Sequence, residues 1–224
     1  MPTLEDAMSY LKIGWSFVPI VPPNFNGEKS DGKKPYASWK KYQTERPTED
    51  QVRKWWTLYP NANIAVITGK ISDIIVVDID SPQGELAYSS VFGEVHNTIK
   101  QKTGTEGAYH LFFKYPPFKN NLQNSVRILG GTDTRGDGGY VIVDPSIHTS
   151  RKKYEWVIDP RESTDDLMDL PLDVFNYFWP EDKKREGKKE KDPDWVSKAL
   201  EGVEEHQGRD NTCVRLASYY LWLT

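Results

Sequence analysis

Asp78 and Asp80 end an apolar run, Ile74-Ile75-Val76-Val77, and stand one residue apart. In a strand, residues two apart project from the same face, so the two carboxylates would leave together. Two carboxylates at ~4 Å repel by about 4 kcal/mol at an effective dielectric of ~20, and a divalent cation is the usual way to reverse that sign. Two readings stand at this point: a pair of acids that grips a cation, or a strand end whose acids are simply solvated.

Two other stretches could do chemistry. His110 begins a β-rich segment, Tyr109 to Lys114, after the small-residue turn Gly104-Thr105-Glu106-Gly107-Ala108. A single histidine is either structural or a donor to oxyanions. The run Thr132-Asp133-Thr134-Arg135-Gly136-Asp137-Gly138-Gly139-Tyr140 places Arg135 two residues beyond Asp133, so an extended backbone turns both to one side. A guanidinium there suits bidentate phosphate binding. The glycines permit a tight turn or close approach of backbone to a ligand, and Asp137 reads as a turn residue. Lys34, within Gly32-Lys33-Lys34-Pro35, adds positive charge on a flexible stretch that reads equally as a solvated loop. Ser146 and His148 follow the strand Tyr140 to Val143 and read either as a turn serine and surface histidine or as part of a pocket.

The elements that must position these residues follow from periodicity. Thr3 caps a helix with apolar positions Leu4, Ala7, Met8 and Leu11, ended by Gly14. Trp15 to Ile20 is a short strand. Thr48 with Gln51 opens a helix through Tyr59 that should bury Val52, Trp55 or Trp56, and Leu58. Asn63 to Thr68 and Ile74 to Asp80 read as a hairpin delivering the aspartates. Gln83 to Phe92 is helical, and Thr98 to Thr103, Tyr109 to Lys114, Val126 to Thr132, Tyr140 to Val143 and Tyr154 to Val157 complete one sheet. Within Tyr109 to Lys114, Tyr109, Leu111 and Phe113 share one face and His110, Phe112 and Lys114 the other. Leu172 to Trp179 closes this domain as a last helix. No regular βαβ beat is present, so the fold class is α+β: a largely antiparallel mixed sheet with flanking helices and a short helical C-terminal segment.

With 224 residues, one principal domain is expected over 1–180. A charged linker follows over 181–192, and residues 193–224 begin a helical module that stops without a Gly or Pro terminator. The chain therefore reads as a fragment cut inside that module, or as a natural end packed on the main domain. A formal charge of −4 argues against indiscriminate coating of nucleic acid while permitting a local basic groove. The single cysteine, Cys213, excludes an intrachain disulfide and a cysteine-rich zinc module. With no signal peptide and no apolar run long enough for a bilayer, the expectation is a soluble, cytoplasmic protein.

The ordered set Asp78-x-Asp80, His110 after its glycine-containing turn, and Asp133-x-Arg135-Gly136-Asp137-Gly138-Gly139-Tyr140 followed by Pro145-Ser146 resembles the bifunctional primase-polymerase domain of the archaeo-eukaryotic primase superfamily. The resemblance covers roughly residues 4 to 160 and takes in the Gly32-Lys33-Lys34-Pro35 stretch, Trp55-Trp56, Pro60 to Ile64, and Tyr154-Glu155-Trp156. Three spaced motifs in order are a far more specific signal than one Asp-x-Asp. The sequence departs from the family pattern at Asp144, where a proline is usual, and at Ala108, where a glycine is usual. Gly208 to Asn211 is similar to the start of a small helical module that often follows such domains.

The resemblance implies a DNA primase and polymerase joining nucleotides on a single-stranded DNA template in phage, plasmid or mobile-element replication. Asp78, Asp80 and Asp133 match the family's metal-binding carboxylates, implying two Mg²⁺ or Mn²⁺ ions and no zinc. His110, Arg135, Ser146, His148 and Lys34 match nucleotide-contacting positions. The partners implied are template, primer strand, ribo- or deoxyribonucleoside triphosphates and a helicase domain or protein. Two competing classes remain open from the residues alone. One is a metal-dependent nuclease, although no Glu-x-Lys partner follows a hairpin and no His-x-His pair is present; the other is a catalytically silent single-stranded nucleic-acid-binding or helicase-loading module, for which eight tryptophans and twelve tyrosines offer stacking surfaces.

Overall fold

The computed structural model describes residues 1–24 and 30–180; the expected linker and C-terminal helical module, with Cys213, lie outside the described residues. Helix α1 (Leu4–Lys12) starts where the sequence places it. The Thr3 hydroxyl accepts from Asp6 N–H at 3.2 Å, and the Asp6 carboxylate accepts from Thr3 N–H at 2.7 Å, so two otherwise unpaired donors are satisfied reciprocally. Helix α2 (Glu49–Leu58) opens on Thr48 in the same manner, its hydroxyl accepting from Gln51 N–H at 3.2 Å. It buries Val52 and both Trp55 and Trp56, while Leu58 is 57% exposed. The expected burial of Leu58 fails because the tryptophans, three and four residues after Val52, already fill the inward stripe.

The strands form two sheets where the sequence suggests one. Strands β1 (Phe17–Ile20), β2 (Asn63–Ile67) and β8 (Tyr140–Val143) make a three-stranded antiparallel sheet in the order β1-β2-β8. The second sheet runs β6 (Ser125–Leu129), β7 (Thr132–Arg135), β3 (Ile74–Ile79), β5 (Tyr109–Lys114), β4 (Lys100–Lys102), β9 (Glu155–Ile158). A two-residue strand, β10 (Met168–Asp169), adds to β5 in parallel. The predicted hairpin of β2 and β3 is therefore not formed. Gly69 and Ile74 make one isolated bridge, after which the chain leaves the small sheet for the large one. Adjacent β-rich runs with a short glycine-containing link look alike whether they pair or part, because the periodicity of each strand is unchanged.

Every strand pairing of the large sheet except β5 with β10 is antiparallel, so the α+β, largely antiparallel class holds. Its two faces are covered differently. Val77, Ile79, Tyr109, Leu111 and Phe113 pack on Tyr88 of α3 (Pro82–Phe92) and on Val174 and Phe178 of α4 (Leu172–Phe178). The opposite face contributes Val76 and Phe112 to a larger core shared with β1, β2, β8, α1 and α2. Phe112 stacks on Trp15 with ring centroids 5.6 Å apart. Because β3 is covered on both faces along Ile74 to Val77, its sequence is a continuous apolar run and not an alternation.

Candidate active site

The cover provided by the small sheet stops one row above Val76 and Phe112. In that next row, Asp133 of β7, Asp78 of β3 and His110 of β5 are direct register partners, and Gln101 of β4 continues the row beyond His110. Three sequence-distant polar residues thus share one line across the sheet, on the face that Tyr109, Leu111 and Phe113 leave. Asp80 lies just past the end of β3, its backbone N–H donating to Gly131 O at 2.9 Å in the β6–β7 turn. That turn sits against α3 so closely that a Cβ on Gly84 would collide with the Gly131 carbonyl.

Asp78 is held from both sides. His110 Nε2 is 3.3 Å from its Oδ1, and Arg135 Nη2 is 3.3 Å from its Oδ2 and 3.0 Å from Asp133 Oδ2. Burial pushes the Asp78 carboxyl upward, but the imidazole and guanidinium outweigh it and leave it below the ordinary carboxylate range. Asp80 moves the other way: partial burial first, then the charges of Asp78 and Asp133, raise it. Among the described residues no three acidic, histidine or cysteine side chains converge to hold a metal ion as they stand. Instead the Arg135 guanidinium bridges two of the acids. The donor set itself, three hard carboxylates under mutual repulsion, is of the type that Mg²⁺ and Mn²⁺ prefer.

Asp78 and His110 of the row open on a cleft of about 370 Å³ that Tyr140, Val141 and Ile142 of β8 also line. Asp78, Asp80, His110, Arg135 and His148 line it, as do Lys33, Trp39, Thr103, Thr105 and Tyr154. His148 fits against Gly104, where a Cβ would overlap the ring. Its Nδ1 lies 3.2 Å from Ser150 N and 3.0 Å from Ser150 Oγ, whose hydroxyl donates to Gly104 O at 2.8 Å, so the loop after His148 holds the ring in place. Burial, and then Lys33, push the His148 imidazole below its usual range, which leaves it neutral near pH 7.

Three predicted residues are absent from the lining, and the first, Asp133, stays tied to it through its register with Asp78 and its 3.0 Å contact with Arg135. Ser146 is fully buried, its hydroxyl accepting from Ile64 N–H at 2.9 Å, and it does not line the cleft. Lys34 is exposed and also absent from the lining, whereas Lys33 is part of it. In an extended loop, neighbours face opposite ways, and composition alone does not say which of two lysines turns inward. Asp137 is more than a turn residue: its carboxylate accepts from Lys70 N–H, Tyr115 O–H and Leu122 N–H at 2.9, 2.6 and 2.8 Å and ties the glycine-rich loop to the sheet. Gln101 and Trp39 are not singled out by sequence, and Tyr154 enters only as part of the Tyr154-Glu155-Trp156 stretch, with no site role; the only signal available for Gln101 is its alternation within Thr98 to Thr103.

Fold and site together define an α+β protein with an acid row on an antiparallel sheet, opening on a cleft that carries arginine, lysine and histidine. The chain belongs to the family described as bifunctional DNA primase/polymerase, N-terminal, whose sequence profile matches residues 7–172. The matched stretch contains every strand of both sheets and all of the acid row. No curated protein matches the chain. The family is one of primases and polymerases, whose substrates are DNA and nucleotides. Among the described residues no helix is long and apolar enough to cross a membrane.

Proposed function

We propose that this protein is a DNA primase/polymerase that carries out template-directed nucleotidyl transfer on single-stranded DNA, making and extending primers in phage, plasmid or mobile-element replication. The observation that carries this reading is the single row Asp133, Asp78, His110, with Asp80 two residues beyond Asp78 along the chain and Arg135 bridging Asp78 and Asp133 beside the cleft. Asp78, Asp80 and Asp133 would hold two Mg²⁺ or Mn²⁺ ions. When bound, such ions supply activation of a primer 3′-hydroxyl and neutralisation of charge on the departing pyrophosphate. Arg135 would exchange its carboxylate partners for phosphate oxygens once the acids are otherwise neutralised, and His110 would offer Nε2–H to the same anion. Lys33 adds positive charge to the lining of the cleft. A helicase domain or protein is the partner expected for template opening.

The test is incorporation of labelled nucleotide on a single-stranded template, with and without primer, using each nucleotide type and each metal. Extension that requires divalent metal is the expected result. Template binding without incorporation under every condition sinks the enzymatic reading, and cleavage of labelled DNA without triphosphates marks a nuclease instead.

A further inference from the structure

Gln101 is fully buried, directly opposite His110 in the β4–β5 register. Its amide reaches across to the end of β8 on the small sheet. Oε1 accepts from Asp144 N–H at 2.8 Å, and Nε2 donates to Ile142 O at 3.0 Å. A peptide N–H can only donate and a peptide carbonyl can only accept. Turning the amide over would set donor against donor and acceptor against acceptor, so two backbone groups determine its orientation. The remaining N–H of Nε2 then faces His110 Nδ1 at 3.1 Å. That ring nitrogen must accept, which leaves the imidazole proton on Nε2, 3.3 Å from Asp78 Oδ1.

We propose that Gln101 is a positioning residue for His110, fixing its imidazole as the Nε2–H tautomer with the donor turned toward Asp78 and the cleft. The opposite tautomer of His110 would set a ring lone pair against the Asp78 carboxylate. It would equally oppose a phosphate oxygen, and this last consequence rests on the proposed nucleotide role of His110. The tautomer assignment does not rest on it. The tie also links the two sheets at the site, because Gln101 belongs to the large sheet and both of its backbone partners lie on or beside β8.

Long-range proton–nitrogen correlation on the full chain with ¹⁵N-labelled histidine reads the tautomer directly. The sequence has four histidines, and His110→Asn assigns the signal. In the unaltered protein the expected pattern is a protonated Nε2 and a bare Nδ1. Gln101→Leu removes the donor and should give a mixture of tautomers, while Gln101→Glu supplies an acceptor and should draw the proton to Nδ1. Thermal melting and template binding verify that each variant is folded. In Gln101→Leu the KM for nucleoside triphosphate should rise about tenfold with kcat changed less, the size of one lost hydrogen bond. An Nδ1–H tautomer in the unaltered protein overturns the proposal without any variant, and so does an undiminished Nε2–H population in Gln101→Leu. If His110→Ala leaves the KM unchanged, the nucleotide role of His110 fails while the tautomer assignment is judged separately by the spectra.

Discussion

Asp78 and Asp133 oppose each other as register partners on β3 and β7, and one nitrogen of Arg135 lies 3.3 Å from the first and 3.0 Å from the second. Neither acid is close to the other in sequence. Their pairing places two like charges side by side, with a third acid, Asp80, two residues beyond Asp78 along the chain, and the guanidinium is what makes the arrangement tolerable.

If the three acids act as one cation-binding unit, removing any of them should have the same effect. Asp78→Ala, Asp80→Ala and Asp133→Ala are each expected to lower metal-dependent incorporation by about 10²-fold or more, the loss seen when an electrostatic group aimed at transition-state charge is deleted. The measurement is single-turnover primer extension. Normal extension by Asp133→Ala would sink the three-carboxylate site.

Arg135 and a divalent cation compete for the same oxygens in this reading. Arg135→Ala should therefore bind Mn²⁺ more tightly than the unaltered protein, as read by electron paramagnetic resonance of the free ion. Its KM for nucleoside triphosphate should nevertheless rise by about tenfold or more, since a charge-assisted hydrogen bond to phosphate is lost. Unchanged Mn²⁺ affinity would separate Arg135 from the metal-binding acids.

His148 gives a pH signature with a definite sign. Its folded-state pKa lies below the ordinary histidine value, chiefly through burial and secondly through Lys33. The unfolded chain thus binds the proton more readily, so the associated stability is full above about 6.5 and is lost as the pH falls from there through the folded value. Lys33→Ala removes the smaller cause, and the His148 pKa should move up while staying below the ordinary value. Titration followed by NMR tests this, and an unmoved His148 would place Lys33 away from the ring.

Ser146 serves the fold at its hydroxyl. Ser146→Ala leaves the buried Ile64 N–H without its acceptor, at a cost of about 1–3 kcal/mol. Denaturant unfolding should show that loss, with the KM for nucleotide unchanged. A raised KM with unaltered stability would return Ser146 to the nucleotide pocket.

Local order was legible wherever a short-range rule governs it. Thr3 and Thr48 announce their helices by capping, and the two faces of β5 separate as alternation requires, Tyr109, Leu111 and Phe113 into one core and Phe112 into the other. The acids and Arg135 were legible as chemistry because carboxylates ending an apolar strand are costly without a purpose. What was hidden is pairing. Nothing local to Asn63 through Asp80 says that β2 and β3 belong to different sheets, and nothing local to Lys100-Gln101-Lys102 says that the middle residue meets a histidine. Gln101 looks like a surface residue between two lysines until its register partner is known. The same holds for Lys33 and Lys34, whose roles depend on which way one loop peptide turns.

The row from Asp133 through Asp78 and His110 to Gln101 is written in three separate strand registers at once. Since a one-residue slip sends every side chain of a strand to the opposite face, a single inserted or deleted residue within β3, β5 or β7 would carry its member of the row to the helix-covered side. The chemistry is therefore protected by spelling as much as by residue identity. Change of length is tolerable in the connections between strands, and within those strands even a silent-looking insertion of alanine would erase the site.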